Sequence, residues 1–226
     1  MAAKKSYNEI VKSTGILGGV QVFSIIVSIV KTKFIAILLG PQGVGLIGIL
    51  NNTTDLVKNL VTLGLPQSGV RNVAESFALN DILKISRSVR TIKVCLFLLG
   101  GIGSLLMVVL APILSYLSFG NYNYEWAFIW LSVTILLSTI TSAQNVILQG
   151  TRKYVFLAKS SLYGSIGGLL LSVPLYYFFG INGIVPSLTV AAIIMLVLSS
   201  YYSKKIHTVK SELTPKEIFE SGKSML

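Results

Sequence analysis

The sequence predicts an all-α integral membrane protein with six transmembrane helices and with both termini in the cytoplasm. The first observation is composition: of 226 residues, 53% are hydrophobic and only 12% are charged, about half the charged share of a soluble domain. The second is a set of long uncharged segments, since a helix needs about 20 apolar residues to cross a bilayer. The third is the placement of Lys and Arg, which mark cytoplasmic loops. Most of the surface must therefore face lipid, as the mean hydropathy of +0.75 also indicates.

The first two helices are predicted over residues 13–39 and 44–63. The segment Gly40-Pro41-Gln42-Gly43 separates them, and a helix does not pass unbroken through this combination of Gly and Pro. Because the connection is so short, the two helices should form a tight hairpin. Residues 1–12 are predicted to be a polar cytoplasmic segment that is retained rather than cleaved, because no small-residue cleavage site follows them.

Four further helices are predicted between residue 94 and residue 203. The stretches 94–124 and 126–151 contain no charged residue, so each holds one helix of about 20 residues, with a turn at residues 119–124. Residues 160–203 are also uncharged, and as one helix they would extend roughly 66 Å, about twice the thickness of a bilayer. They must therefore fold back, and Gly180-Ile181-Asn182-Gly183 is the predicted turn.

The basic residues fix the orientation of these six helices. The turns at Pro41, Asn121 and Asn182 contain no Lys or Arg, whereas the opposite end carries Lys4, Lys5, Lys12, Arg71, Lys84, Arg87, Arg90, Lys93, Arg152, Lys153, Lys159, Lys204, Lys205 and Lys210. The turns are therefore predicted to face outward and both termini inward. The net charge of +11 is then mostly a topology signal. It fits contact with anionic lipid, and no nucleic-acid partner is expected.

Charged residues inside the predicted spans are costly and usually serve a pathway or an ion pair. Lys31, Asp55 and Lys58 are such residues. At a rise of about 1.5 Å per residue, Lys31 and Asp55 differ by about 6 Å in height on adjacent helices, so these two can pair. Asp55 and Lys58 are three residues apart on one helix and can pair instead. For Lys33, extension toward the membrane interface is the favoured interpretation.

Two predicted helices carry a polar face. On helix two its members are Asn51, Asp55, Lys58 and Thr62, and on helix four they are Ser138, Thr141, Asn145 and Gln149, with Gln144 adjacent. A polar face avoids lipid, so it lines either a water-filled cavity or a contact between helices. Hydrogen bonding between helices is the favoured interpretation for the helix-four amides. A cationic cavity would suit an anionic cargo.

Side-chain sets for catalysis and metal binding are missing from the sequence. His207 is the only histidine and Cys95 the only cysteine, so one chain cannot form a His-based triad, a two-histidine metal site or a disulfide. The phosphate-binding loop of an ATP-driven pump is also missing. The sequence therefore predicts neither an enzyme nor a cofactor, and it leaves open a coupling ion, either H⁺ or Na⁺.

Residues 204–226 are predicted to form a cytoplasmic linker and the start of a seventh helix. Thr214-Pro215-Lys216-Glu217 is a capping box with proline at the first helical position. A similar box, Ser6-Tyr7-Asn8-Glu9, precedes helix one, so the second box lies where another six-helix repeat would begin. We therefore expect residues 13–203 to be the first lobe of a two-lobe transporter, in a chain cut as helix seven starts.

Four turn motifs resemble those of a known transporter superfamily. They are Leu39-Gly40-Pro41-Gln42-Gly43-Val44-Gly45, Leu63-Gly64-Leu65-Pro66-Gln67-Ser68-Gly69-Val70-Arg71, Leu148-Gln149-Gly150-Thr151-Arg152-Lys153-Tyr154 and Phe179-Gly180-Ile181-Asn182-Gly183. The chain resembles, essentially end to end, the polysaccharide-exporting flippases of the multidrug/oligosaccharidyl-lipid/polysaccharide superfamily, with the O-antigen translocase branch closest. This resemblance implies two MATE-like six-helix lobes around a cavity that alternates between the two membrane faces, of which this chain is the N-terminal lobe.

The resemblance also implies a cargo and roles for the polar residues. The cargo would be an undecaprenyl-pyrophosphate-linked oligosaccharide moved outward across the bacterial inner membrane. Basic side chains would counter the phosphates, the carboxylate would hold those bases or bind a coupling ion, and amides would bond sugar hydroxyls. The candidate substrate-binding residues are Lys31, Asn51, Asp55, Lys58, Arg71, Asn145 and Gln149. The implied partners are the lipid-linked oligosaccharide, membrane lipids, and a second lobe or a second chain.

Two other functions remain open alternatives. A multidrug exporter of the same superfamily would prefer cationic drugs and an acidic cavity, whereas three lysines are embedded in these spans. A non-transporting membrane scaffold or enzyme for glycan assembly would need catalytic carboxylates or a large soluble domain. The sequence shows neither.

Overall fold

The computed structural model describes residues 2–79 and 82–206, with side chains from residue 18 onward except at residue 82. Every regular element in these ranges is helical, which confirms the all-α class. The elements are α1 (Ala2–Thr62), α2 (Leu65–Ala78), α3 (Ile82–Val109), α4 (Ala111–Phe119), α5 (Glu125–Gly150), α6 (Tyr154–Phe179), the 3-10 turn η1 (Gly180–Gly183) and α7 (Ile184–Lys204). The capping box at residues 214–217 and the predicted seventh helix lie outside the described residues.

Helix α1 consists of two helices joined at Gly40. This residue has φ 68° and ψ −173°, a backbone region that is essentially restricted to glycine. The helix resumes at once, because Pro41 occupies a first helical position, where its missing N–H costs no hydrogen bond. The predicted four-residue turn was therefore wrong in extent, since a single residue makes the break. We refer to residues 2–39 and 41–62 as the first and second arms of α1.

The two arms of α1 lie side by side, as the hairpin prediction requires. Lys31 of the first arm and Lys58 of the second arm line the same cavity of ≈ 400 Å³. In a straight helix these two residues would be about 40 Å apart, so the chain must double back between them.

In the part of the chain that the structure describes, four helical segments are long and apolar enough to cross a membrane: Gly18–Thr62, Leu83–Val109, Glu125–Gly150 and Tyr154–Lys204. The first and last contain 45 and 51 residues, which corresponds to about 68 and 77 Å of helix, against about 30 Å of hydrocarbon. Each of these two has an internal break, at Gly40 and at η1 respectively. Their length therefore allows each of them to cross twice.

Helix α2 is an amphipathic helix that the search for uncharged segments missed. It buries Leu65, Gly69 and Val73 and packs on α3 and α5. Arg71 and Glu75 remain exposed on its other side. The sequence does indicate this helix, because Leu65, Gly69 and Val73 are four residues apart and so share one helix face. The charges of Arg71 and Glu75 interrupt the uncharged stretch, so the helix was not predicted.

Helix α3 begins at Ile82 instead of Val94, so the predicted start was wrong. Basic side chains end an uncharged stretch without ending a helix, because they are good helix formers that lie outside the hydrocarbon. At its other end α3 stops at Val109, and α4 continues after Leu110 with Pro112 in its first turn. The predicted single helix from residue 94 is therefore two helices.

Three turns lie together at one end of the bundle. A cavity of ≈ 310 Å³ is lined by Leu46 near the Gly40 break, by Asn123 before α5 and by Asn182 in η1. These are the turns that the sequence places on one side of the membrane. We refer to this end as the turn end and to the opposite end as the α2 end.

Helix α5 occupies the centre of the bundle and contacts α1, α2, α3, α4, α6 and α7. Buried apolar side chains form two clusters along it. The cluster at the turn end includes Leu50 and Phe128, and the cluster at the α2 end includes Val73 and Ile92. The polar residues of α5 lie between and beside these clusters, which leaves room for a polar cavity midway along the bundle.

Glycines allow close contacts between neighbouring helices. A Cβ built on Gly100 of α3 would overlap the Thr139 hydroxyl on α5, and one on Gly164 of α6 would overlap the Met195 sulfur on α7. A Cβ on Gly101 meets nothing within 4 Å. Only the first glycine of the Gly100-Gly101 pair is therefore needed for the α3–α5 contact.

Candidate functional site

A cavity of ≈ 400 Å³ lies between α1, α5 and α7, and we refer to it as the central cavity. Its polar lining residues are Lys31, Asn51, Thr54, Lys58, Thr134, Ser138, Thr141, Ser142 and Asn145, and its apolar lining residues are Leu131, Leu188, Ala191, Ala192 and Met195. Counted along the two arms from Gly40, Lys31 lies about 14 Å and Lys58 about 27 Å from the turn end. Among the described residues, the lining contains two lysines and no carboxylate.

The periodicity of the first arm directs Lys31 into the bundle. Between residues 18 and 34 the half-buried positions are Val20, Ser24, Val27 and Lys31, and the others are exposed. Spacings of three and four place these side chains on one helix face. Lys33 is exposed and does not line the cavity, so the two neighbouring lysines differ in environment.

Asp55 is the predicted site residue whose position differs most from expectation. It is exposed, it does not line the central cavity, and in the described part of the chain it forms no ion pair with Lys31 or Lys58. Neither of the two ion pairs that the sequence leaves open, Lys31–Asp55 and Asp55–Lys58, is therefore formed in the part of the chain that the structure describes. On an ideal helix Asp55 points about 65° away from the mean direction of Asn51, Thr54 and Lys58. It remains close enough to attract Lys58 electrostatically.

Arg71 lies on α2, outside the central cavity. Its Nε donates a hydrogen bond to Glu75 Oε1 at 2.9 Å, and 82% of its side chain is exposed. This bond raises the pKa of Arg71 above its ordinary value. The structure thus brings Arg71 to a carboxylate at the surface and not to the two lysines.

The hydroxyl groups on the cavity wall donate hydrogen bonds within their own helices or to each other. Thr54 donates to the Leu50 carbonyl at 2.7 Å, and Thr134 shares a hydrogen bond of 3.2 Å with Thr189 of α7. On α5, the remaining bonds run from Ser138 to Ile135 O at 3.0 Å, from Thr141 to Leu137 O at 2.8 Å and from Ser142 to Ser138 O at 3.0 Å. Each hydroxyl of the lining is therefore satisfied by protein.

Asn145 joins the central cavity to a second, smaller one. This second cavity has ≈ 220 Å³ and is lined by Pro66, Gln67, Val70, Ser142, Asn145, Val146 and Gln149. The Oδ1 atom of Asn145 is buried and has no hydrogen-bond partner in the part of the chain that the structure describes. Two predicted residues, Asn145 and Gln149, are thus brought together beside α2.

Gln144 confirms the interhelical interpretation for one of the helix-four amides. Its Oε1 accepts a hydrogen bond from the Ser203 hydroxyl on α7. Sequence reasoning missed Thr54 and Thr134 as lining residues, because a threonine does not interrupt an apolar segment. The spacing of Asn51, Thr54 and Lys58, three and then four residues apart, was the available signal.

Residues 2–79 and 82–206 contain no candidate metal-binding site. No group of three or more His, Cys, Asp and Glu side chains comes together there. The predicted site residues that the structure does bring together are Lys31, Asn51, Lys58 and Asn145. They form a cationic, hydroxyl-rich and amide-containing cavity.

One family model matches the sequence, that of the polysaccharide biosynthesis proteins, over residues 10–225. No curated protein and no solved structure matches the chain. The family match includes residues 10–62 of α1 and every residue that lines the two cavities. Together with the four long apolar helical segments, it shows that the chain is a multi-pass membrane protein and a member of the polysaccharide biosynthesis protein family.

Proposed function

We propose that this chain is one lobe of a flippase for an undecaprenyl-pyrophosphate-linked oligosaccharide, such as an O-antigen repeat unit, in the bacterial inner membrane. The observation that carries the proposal is the charge of the central cavity. Among the described residues, its lining contains Lys31 and Lys58 and no carboxylate. Two cations that form no ion pair in the described part of the chain favour an anionic ligand such as a pyrophosphate, the more so if the cavity lies within the hydrocarbon, as we propose.

The rest of the lining suits the sugar part of the same cargo. Hydroxyl and amide groups of α1 and α5 surround the lysines, and they can both donate and accept hydrogen bonds with sugar hydroxyls. Asn145 and Gln149 extend this polar surface into the second cavity beside α2. In this proposal the head group occupies the two cavities while the polyprenyl chain stays in the bilayer.

The proposed topology has six membrane crossings, with both termini on the cytoplasmic side. The two long segments each cross twice, at the breaks given by Gly40 and η1. Asn51 lines the central cavity and is exposed, so the cavity is open on that side. We propose that a second lobe of the same protein, or a second chain, completes the wall and that alternating access, driven by an H⁺ or Na⁺ gradient, moves the cargo.

Charge removal at the two lysines tests this function. Lys31→Gln, Lys58→Gln and the double variant would be expressed from the gene that carries this sequence, in cells deleted for it. Lys33→Gln is the matched control, because it removes the same charge two residues away on an exposed side of the same arm. We expect the double variant to lose most surface polysaccharide and to accumulate the lipid-linked oligosaccharide, while the control keeps normal levels and all variants insert equally.

Three results would overturn the proposal. Normal surface polysaccharide in the double variant would show that the lysines do not contact cargo. Failure to make the lipid-linked oligosaccharide at all would point to a scaffold or synthetic role. A changed drug susceptibility with unchanged polysaccharide would instead support the multidrug exporter.

A further inference from the structure

A groove on the outside of the bundle is separate from the central cavity. It has ≈ 320 Å³ and is lined by Lys93, Val94, Phe97, Leu98, Ile140, Ala143 and Gln144, and we refer to it as the outer groove. Phe97 and Leu98 are 55% and 58% exposed, so the groove opens toward the surrounding lipid. Its walls are apolar except at Lys93 and Gln144, which lie toward the α2 end.

The outer groove and the central cavity use opposite faces of α5. At about 100° per residue, Ile140, Ala143 and Gln144 point roughly 170° away from Ser138, Ser142 and Asn145. A ligand in the outer groove would therefore not contact the polar cavity wall. The two sites are separated by the body of α5.

A second lysine lies at the polar end of the outer groove. Lys204 is in the last turn of α7, next to Ser203, whose hydroxyl donates a hydrogen bond to Gln144. Because Ser203 bonds to Gln144, the adjacent Lys204 begins beside the polar end of the groove that Lys93 lines, and the two like charges lie within electrostatic range of each other. The neighbouring Lys205 has a different contact, with its Nζ 4.5 Å from the centre of the Tyr201 ring.

No carboxylate whose side chain the structure describes neutralises this pair of lysines. Glu75 pairs with Arg71, Asp55 lies beside Lys58, and Glu125 is in the first turn of α5 at the opposite end. Two like charges held together at the edge of an apolar groove repel each other, and an anion between them would relieve that repulsion.

We propose that the outer groove binds an anionic phospholipid of the surrounding bilayer. The phosphate lies between Lys93 and Lys204, the Gln144 amide is within the same polar end, and an acyl chain lies along Phe97 and Ile140. Basic pockets between membrane helices on the cytoplasmic side are typical sites for anionic lipid head groups. This site requires neither transport nor the proposed cargo.

Native mass spectrometry of the detergent-purified gene product tests the site, with phosphatidylglycerol and phosphatidylcholine as the probes. We expect one phosphatidylglycerol to bind at least tenfold more tightly than phosphatidylcholine. Lys204→Gln, at an exposed helix end, and Lys93→Gln/Lys204→Gln should progressively remove this preference. Val94→Trp keeps both charges but fills the groove, and it should weaken binding of phosphatidylglycerol as well.

The control variant is Lys153→Gln/Lys159→Gln, which removes two exposed charges at the same end of the bundle. It should keep the preference for phosphatidylglycerol, and an equal loss in this variant would reduce the effect to general surface charge and overturn the proposal. Equal binding of the two lipids by the unaltered protein would overturn it too. Undecaprenyl phosphate is the third probe. If it displaces phosphatidylglycerol from the groove at lower concentration, the groove takes the lipid of a cargo and the assignment to a bilayer lipid is wrong.

Discussion

The contact between α3 and α5 predicts opposite effects for the same substitution at adjacent residues. Gly100 faces α5, whereas Gly101 faces away from the bundle and is exposed. We expect Gly100→Ala to destabilise the protein and Gly101→Ala to leave it unchanged or slightly more stable. Because the two variants gain the same methyl group on the same helix, their difference reports the helix contact alone.

The size of the effect follows from what the new methyl group would meet. At Gly100 it would overlap the Thr139 hydroxyl and lie 3.1 Å from Thr139 Cβ and 3.4 Å from Leu136 Cδ1. Thr139 is fully buried, and its hydroxyl donates to the carbonyls of Ile135 and Leu136 at 3.0 and 2.9 Å, so it cannot turn away without losing those bonds. Overpacking of this kind costs about 1–3 kcal/mol, whereas Gly→Ala at an open helical position gains up to about 1 kcal/mol.

Thermal unfolding in detergent, followed by the fluorescence of the two tryptophans, measures this difference. The two variants should therefore differ by about 1–4 kcal/mol, and at about 2–4 °C per kcal/mol for a chain of this size their apparent Tm values should differ by about 2–16 °C. Thr139→Ala should rescue Gly100→Ala and should have no such interaction with Gly101→Ala. Equal Tm values for the two glycine variants, or no rescue, would refute the close contact.

Two further predictions address the break in α1 and the membrane topology. Gly40→Ala should destabilise the protein by about 1–3 kcal/mol, since only glycine tolerates its backbone angles, whereas Gly45→Ala on the same arm should not; equal Tm values in the same unfolding assay would show that the break does not depend on Gly40. In a Cys95→Ser background, Asn123→Cys should react with a membrane-impermeant maleimide in intact spheroplasts, and Lys153→Cys should react only after the membrane is opened; the reverse labelling pattern would show that the topology is inverted.

The positions of the chain breaks were predictable because they depend on local backbone chemistry. Gly40 and the Gly180–Gly183 turn were both identified from residues that a helix excludes or disfavours. The extents of helices were less predictable, since Pro41 begins a helix as readily as it ends one. The number of consecutive uncharged residues shows how much helix fits in hydrocarbon, but it does not show where a helix begins. For that reason the predicted start of α3 was too far along the chain, and α2 was not predicted.

For the polar residues near the central cavity, the sequence predicts the height along each helix but not the direction in which each side chain points. The rise per residue predicted that Lys31 and Asp55 differ by only about 6 Å in height, but of these two only Lys31 lines the cavity. The direction of a side chain depends on how its helix is rotated against its neighbours, and that rotation follows from packing over the whole bundle. Asp55 is therefore exposed and does not line the cavity, although it lies on the same arm as Asn51, Thr54 and Lys58.

The hydrogen bonds on the wall of the central cavity bear on how long any ligand would stay there. Because Thr54, Ser138, Thr141 and Ser142 already donate to carbonyls of their own helices, an unloaded cavity carries little penalty from unsatisfied hydroxyls. A ligand hydroxyl that binds there would gain only the difference in free energy between two similar hydrogen bonds. Each such contact would therefore be weak, and the ligand would be released quickly. Asn145 Oδ1, which is buried and unpartnered among the described residues, offers a full new bond. Weak hydroxyl contacts beside Lys31, Lys58 and Asn145 would favour turnover of a ligand over its retention.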